Sequence, residues 1–303
     1  MVADSSCVQV PGPWEHRFLP SNGAQLHAAL AGPDRPEAPL VVLLHTLPQF
    51  WFAWRHQITA LADAGYRVAA LDLRGCGGSD KPPHRHETYV KARDVVGVIR
   101  HLGREHAVVV GHGLGGAVAW SVPGVAPSAV RGLALLAAPH PVPLHQVRDG
   151  MSNAALAALA RAQVPWFPER AVTHGDLVAR LLTAWSAPGG RAEVLAHAAL
   201  YTEVMRLPFA AHSAMEHVRW LVRSTPRPDG QRWLASLRAP VTVPVLSVRG
   251  SADPLLPARA YARDHEFVAG PLRTVEVPHA GHFLPEEAPG LVADALLELL
   301  HRL

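Results

Sequence analysis

Short runs of apolar residues alternate along the chain with segments whose apolar residues recur at helical spacing. Segments of helical periodicity cover Phe50–Ala64, Glu87–Leu102 and residues 284–302. Strands alternating with helices in this way predict a mostly parallel sheet covered by helices on both faces. The apolar runs, each typical of a strand buried on both faces, are Leu40–Leu44, Tyr66–Leu71, Ala107–Val110, Gly132–Ala138, Val243–Val248 and Leu272–Val277.

Two regions depart from this alternation. Near the N-terminus, Trp14–Leu19 and Ala24–Ala31 flank the turn signal Pro20-Ser-Asn-Gly and predict an antiparallel hairpin, which brings the expected sheet to eight strands. From residue 139 the strand pattern stops, and prolines punctuate Ala-rich helical segments up to about residue 235. We predict a helical cap inserted over residues 139–235, which divides an α/β core into residues 1–138 and 236–303.

The stretch Ala107–Trp120, AVVVGHGLGGAVAW, runs from an apolar strand through a glycine-dense turn into small, helix-compatible residues. Strand, tight turn and helix form the nucleophile elbow G-x-S-x-G, which lifts one reactive residue above the end of a sheet. The lifted position here is Gly113, in the frame Gly-His-Gly-Leu-Gly, and it has no reactive side chain. Pro123-Gly124 follows closely, so we expect the next helix to be short or kinked.

Gly111, Gly113 and Gly116 also fit the dinucleotide fingerprint G-x-G-x-x-G. That fingerprint normally follows the first strand, with an acidic residue about 20 residues further on to bind the ribose. Here at least two strands precede it, and the next strand runs into Pro139-His140 with no carboxylate. We therefore expect neither a nucleotide nor another cofactor.

Composition narrows the class of protein. The 303 residues are 49% apolar, which is ample for a buried core, and a net charge of +3 without a Lys/Arg run argues against a nucleic-acid partner. The two cysteines imply no disulfide framework, and the first residues lack the pattern of a signal peptide. Glycines and a proline interrupt the most apolar window, which argues against a membrane span. We expect a soluble, cytoplasmic protein without a metal site.

Two polar residues follow consecutive strands near the C-terminus. Asp253 comes after the run Val243–Val248, and His282 after Leu272–Val277. Functional groups gather at the carboxyl edge of a parallel sheet, and the chain order elbow, Asp, His is that of elbow-type hydrolases. An imidazole oriented by a carboxylate can take and return a proton near neutral pH.

Five segments together resemble α/β-hydrolases, and within that fold the epoxide hydrolases and haloalkane dehalogenases: HTLPQFWFAWRHQ, LDLRGCGGSDKP, VVVGHGLGG, RGSADP and VPHAGHFLPEEAP. In that group an elbow aspartate attacks the substrate, and a His–Asp pair activates the water that cleaves the resulting ester. The resemblance implies that His282 is the base and Asp253 its orienting acid. It also implies that the backbone amides of Leu47 and Leu114 are the oxyanion donors.

The departures from this group lie at the active site. Gly113 replaces the aspartate and cannot form a covalent intermediate, and Thr46 stands where the group has the glycine of its HGxP motif. Epoxide hydrolases also hold the ring oxygen with two cap tyrosines. The only tyrosine of the insertion is Tyr201, and His217 occupies the segment where another is expected. Epoxide opening by the covalent route is therefore not expected.

Several functions stay open on the residues alone. Glycine at the elbow relieves backbone strain and would leave a volume beside His282 for a water or a substrate atom. The His282–Asp253 pair could then hydrolyse a small apolar substrate without a covalent nucleophile, or serve a lyase-type or cofactor-free reaction. The protein could also bind a ligand without turnover. The glycine at position 113 could be natural, or it could be an experimental substitution of the nucleophile.

The expected partner is a small apolar substrate or ligand, and a homodimer stays open. Aromatic and imidazole side chains are the candidate wall of its pocket, although core packing explains Trp51 about as well. The candidates are Trp51, Trp166, Phe167, Tyr201 and His217.

Overall fold

The computed structural model describes residues 5–146 and 151–303. Eight strands form one sheet in the order β1-β2-β4-β3-β5-β6-β7-β8. Only β2 runs against its neighbours, pairing antiparallel with β1 and with β4, and the other pairs are parallel. This confirms the α/β-hydrolase fold predicted from the sequence. The strands are β1 Glu15–Ser21, β2 Ala24–Ala31, β3 Leu40–Leu44, β4 Arg67–Leu71, β5 Ala107–His112, β6 Val130–Leu136, β7 Val245–Gly250 and β8 Leu272–Val277.

Helices flank the sheet and fill the long connection between β6 and β7. In the described residues they are α1 Arg55–Asp63, α2 Thr88–His101, α3 Leu114–Val125, α4 Pro141–Gln146, α5 Asn153–Ala162, α6 Phe167–His174, α7 Leu177–Trp185, α8 Arg191–Ala196, α9 Ala198–Met205, α10 Ala210–Arg223, α11 Pro228–Ser236, α12 Leu284–Glu287 and α13 Pro289–Leu300. Of the helices in these ranges, none has both the length and the apolarity needed to cross a bilayer.

Most element predictions agree with the structure to within about two residues at each end. Two predicted helices are broken. A 3₁₀ turn over Trp51–Trp54 precedes α1, and the C-terminal segment divides before Pro289. Proline has no N–H to continue α12 but fits the first turn of α13, so the last break has a local cause.

The expectation that the helix after the elbow is short or kinked was wrong as to its length. The helix α3 runs for 12 residues, through Pro123 to Val125. Pro123 lies in the last turn, where its missing N–H removes a single hydrogen bond. The chain beyond it keeps helical bonding, because the N–H of Ala126 donates to the carbonyl of Val122 at 2.9 Å.

The core lies on both sides of the sheet, which explains why the parallel strands are continuous apolar runs. Successive residues of β3 point to opposite faces: Val41 and Leu43 join one apolar layer, and Leu40, Val42 and Leu44 join the other. All five are 2% exposed or less. A strand with both faces buried has no polar positions, whereas a half-exposed strand alternates.

The helices between β6 and β7 are joined to the core beside β8. The N–H of His282, in the loop after β8, donates to the carbonyl of Trp185 at the end of α7 over 2.9 Å. Tyr201 in α9 donates its hydroxyl to Glu286 in α12 over 2.7 Å. These bonds place part of the insertion at the carboxyl edge of the sheet, where the functional residues were predicted.

Candidate active site

The elbow is formed between β5 and α3. Gly113 has φ 52° and ψ −114°, in the region that favours glycine. Its N–H donates to the carbonyl of Leu136 over 2.9 Å, which ties the turn to β6. A β-carbon at Gly115 would lie 2.4 Å from the carbonyl oxygen of Leu44, so glycine allows α3 to begin close against β3. The chain therefore has a sharp turn of elbow geometry, and the residue at its tip has no side chain.

His282 and Asp253 form the pair that the sequence predicted. Nδ1 of His282 lies 2.9 Å from Oδ2 of Asp253, and the two residues are 5% and 8% exposed. The other carboxylate oxygen accepts the N–H groups of Leu255 and Leu256 at 2.8 and 3.2 Å. Although burial raises the pKa of Asp253, the charge and hydrogen bond of His282 bring that pKa below its usual value. The carboxylate is thus ionised and directs Nε2 of His282 away from itself.

His112, just before the elbow, fixes the backbone at His282. Its Nε2 lies 2.7 Å from the carbonyl oxygen of His282. Burial, followed by the charge of His282, lowers the pKa of His112 to about 3. His112 is therefore neutral and donates its Nε2–H to this carbonyl, so its role is structural.

Glu287 organises the loop that carries His282, and the sequence interpretation missed it. Its carboxylate accepts the N–H groups of Gly281 and Phe283, on either side of His282, at 2.8 Å each. It also accepts the N–H of Ala187 from the insertion at 2.8 Å. The signal was present in the sequence as the acidic pair of FLPEEAP, but only the fold brings Ala187 to it.

Replacing Glu287 with glutamine should loosen this loop. The amide has one acceptor oxygen instead of two, and its NH₂ group would face N–H donors. We expect Glu287→Gln to lower the free energy of unfolding by about 1–3 kcal/mol and to slow any turnover that depends on His282. Urea denaturation of this variant beside Glu105→Gln, at an exposed position in the loop before β5, measures the difference. Equal stabilities would contradict the role given to Glu287.

The space at the elbow is not vacant, which corrects the expectation of a free volume beside His282. A β-carbon at Gly113 would lie 2.4 Å from Oγ1 and 2.9 Å from Cβ of Thr46, and 3.3 Å from Nε2 of His282. Thr46 itself is only 3% exposed. Because residue 46, in the loop after β3, is threonine, its side chain fills the volume that a side chain at residue 113 would otherwise use.

The same threonine engages one of the two predicted oxyanion donors. The N–H of Leu114 donates to Oγ1 of Thr46 over 3.2 Å. For the N–H of Leu47, the described residues provide no hydrogen-bond partner. One donor is therefore used within the protein, and the other is available.

Three of the predicted pocket residues do not line a pocket. Trp51 is fully buried, donates its indole N–H to the carbonyl of Val8 over 2.8 Å and packs edge-on against Trp14, so core packing explains it. Trp166 and Phe167 are 73% and 66% exposed. The turn that begins α6 directs these two rings outward, which the sequence pattern could not reveal.

Tyr201 is also removed from the candidate wall. It has no exposed surface, and its hydroxyl is bonded to Glu286, so no space is left for a ligand against it. His217 is 2% exposed, with Nε2 3.3 Å from the hydroxyl of Thr88. Its place in the substrate pocket stays a prediction.

Two aromatic residues that the sequence interpretation did not select lie beside the imidazole of His282. The ring centroids of Trp185 and Phe283 lie 6.0 and 5.5 Å from that of His282. The half-buried Trp185 stacks on Phe283 at 6.2 Å and comes from the insertion. The environment of the imidazole is thus apolar on this side.

Known proteins share both the sequence and the fold of this chain. Residues 39–289 match the α/β hydrolase fold family. Epoxide hydrolase A of Mycobacterium tuberculosis is 31% identical, with 94% of this chain and 96% of that protein aligned. The AB hydrolase superfamily protein YfhM of Bacillus subtilis is also 31% identical, over 94% and 97% of the two chains.

Solved structures agree with these relatives. The epoxide hydrolase CorEH superimposes with a TM-score of 0.78 at 28% identity, covering 95% of this chain and 99% of that one. Epoxide hydrolase A from Mycobacterium thermoresistibile gives a TM-score of 0.73 at 25% identity, over 95% and 98% of the two chains.

Proposed function

The chain belongs to the α/β-hydrolase fold family, in its epoxide hydrolase-like group, and on that premise we propose that it hydrolyses a small apolar substrate without a covalent nucleophile. In this proposal His282 is the general base and Asp253 orients it. The observation that carries the proposal is the 2.9 Å contact between Nδ1 of His282 and Oδ2 of Asp253 beside an elbow that has no side chain.

The chemistry is direct attack by water. Nε2 of His282 takes a proton from a water molecule while the water oxygen bonds to the substrate carbon and the bond from that carbon to the leaving oxygen breaks. The imidazolium then returns the proton to the leaving oxygen. General base catalysis of this kind accelerates a reaction by about 10²–10⁴-fold, which is less than the rate acceleration that a complete triad supplies.

We further propose that residues 139–235 act as the cap of this site. The bond from His282 to Trp185 and the clamp from Glu287 to Ala187 support this role, because both attach the insertion to the loop of the base. Trp185 and Phe283 would exclude bulk water on one side and favour an apolar substrate.

A second candidate function is ligand binding without turnover. The observation that favours it is the bond from the Leu114 amide to Thr46, which leaves one fewer donor for a developing oxyanion. A protein that only binds its ligand does not need to stabilise an oxyanion, so the loss of this donor would not impair its function. The hydrogen-bonded geometry of the His282–Asp253 pair favours the enzyme, because a binder has no use for an oriented base.

A single-turnover experiment in water labelled with oxygen-18 tests the proposal. With the protein in excess over styrene oxide or p-nitrophenyl acetate, direct attack places labelled oxygen in the diol or the acid during the first turnover. We expect turnover and full labelling of the diol, with the protein mass unchanged. Unlabelled diol from the first turnover would identify a protein oxygen as the nucleophile, and no turnover of either compound would favour the binding function.

A further inference from the structure

Thr46 and the missing elbow side chain compete for the same space. One point, the place of a β-carbon on Gly113, lies 2.4 Å from Oγ1 of Thr46 and 3.3 Å from Nε2 of His282. A carboxylate oxygen also lies about 2.4 Å from its own β-carbon by covalent geometry, which follows from bonds of about 1.5 and 1.25 Å. The threonine hydroxyl therefore lies at the distance from the elbow that a reactive oxygen would have, and Nε2 of His282 approaches the same point.

The hydrogen bonding of this hydroxyl leaves its proton free for a ligand. Oγ1 accepts the N–H of Leu114 over 3.2 Å, and the part of the chain that the structure describes offers no acceptor for the Thr46 O–H. Accepting one hydrogen bond polarises a hydroxyl and makes it a better donor to a second group. Since the side chain is buried, water competes little for that proton.

We propose that Thr46 is a catalytic residue that donates a hydrogen bond from its hydroxyl to the substrate oxygen while His282 activates the attacking water. This inference rests on the proposed function. For an epoxide, a bond forms from the water oxygen to one ring carbon and the ring C–O bond breaks. His282 takes the water proton and returns it to the ring oxygen, and Thr46 stabilises the charge on that oxygen without losing its own proton.

The proposed role of Thr46 predicts that the protein prefers epoxides to esters as substrates. A tetrahedral ester intermediate needs backbone donors at its oxyanion, and the Leu114 amide is already bonded to Thr46. A ring oxygen can instead accept directly from the Thr46 hydroxyl. The chain should therefore turn over styrene oxide more efficiently than p-nitrophenyl acetate, and removing the Thr46 side chain should shift the ratio toward the ester by freeing the Leu114 amide.

Substitutions at Thr46 test the donor role. Valine keeps the shape of threonine without the hydroxyl, so Thr46→Val should lower kcat for styrene oxide about 10²-fold. Thr46→Ser should lose at most about threefold, and Thr46→Gly should raise the ratio of ester to epoxide turnover about tenfold. A structural role alone would not move that ratio.

The outcomes distinguish this inference from the proposed function. Thr46→Val with wild-type turnover, beside an inactive His282→Ala, would overturn the role of Thr46 and leave the base in place. An active His282→Ala would overturn the proposed function. No turnover by the wild-type protein would overturn the catalytic roles of both His282 and Thr46. Whether Thr46 occupies the space at the elbow would then be decided by a measurement of thermal stability.

The stability measurement uses Gly113→Ala in three backgrounds. In the wild-type chain the new methyl group meets Thr46 and a positive φ, and should lower Tm by about 5–10 °C. With Thr46→Gly that loss should fall to half or less, because only backbone strain remains. With Thr46→Val, the matched control that refills the space, the full loss should return. Equal losses in all three backgrounds would mean that Thr46 does not occupy the elbow.

Discussion

Replacing His282 with alanine is expected to reduce the turnover of styrene oxide by about 10²–10⁴-fold. The imidazole is the only group beside the elbow that is oriented by a buried carboxylate, through the 2.9 Å contact of its Nδ1 with Asp253, in the part of the chain that the structure describes. Without it, water must attack with no base. Steady-state kinetics of His282→Ala and the wild-type protein measure the loss.

Two further variants separate loss of the base from damage to its loop. Asp253→Asn keeps the shape of the pair but removes the charge that orients the imidazole, so it should lose activity within about tenfold of His282→Ala. His279→Asn is the matched control: His279 is exposed, precedes the base by three residues and has a φ of 59°, which asparagine tolerates. A loss in His279→Asn equal to that in His282→Ala would refute the assignment of the base.

Replacing Arg55 with methionine is expected to destabilise the protein by about 3–5 kcal/mol. Glu286 is 1% exposed, and its Oε1 lies 2.5 Å from a guanidinium nitrogen of Arg55 and 2.7 Å from the hydroxyl of Tyr201. Gln49 donates to its other oxygen. Methionine fills a similar volume but removes the countercharge. Because burial already raises the pKa of Glu286 to about 7, its carboxyl group must then take up a proton or stay charged without a partner.

Urea denaturation measures this effect. Arg263→Met removes a surface ion pair with Glu266 and should change stability little, because solvent screens exposed charges. The double variant Arg55→Met/Glu286→Gln removes the buried charge as well and should recover part of the loss, since Tyr201 and Gln49 can still bond an amide. If the double variant were less stable than Arg55→Met alone, the buried charge would not be the cause.

The Arg55–Glu286 cluster also matters for the site. It joins the loop after β3, α1, α9 and α12, and Glu286 directly precedes Glu287, which clamps the loop of His282. The loop after β3 also carries Thr46. Disrupting this cluster should therefore displace both the loop that carries Thr46 and the loop that carries His282. We expect the activity of Arg55→Met to fall together with its stability.

The sequence by itself determined the sheet, the elbow and the His282–Asp253 pair. These features depend on local patterns: apolar runs for strands buried on both faces, glycines at Gly113 and Gly115 where the backbone turns sharply, and polar residues at strand ends. Because parallel strands bring their carboxyl ends to one edge, strand order alone places Asp253 and His282 together. The family resemblance added the likeness to epoxide hydrolases.

Only the tertiary structure decided what surrounds the base. Thr46 and Gly113 are 67 positions apart, too far for a local sequence pattern to relate them. Nevertheless the Thr46 side chain occupies the space that a side chain at residue 113 would need. The outward turn of Trp166, the burial of Tyr201 on Glu286 and the approach of Trp185 and Ala187 to the loop of His282 likewise depend on how the insertion packs on the core. Such contacts join segments distant along the chain, and hydrophobic periodicity gives only the face that a residue presents, not the group that it meets.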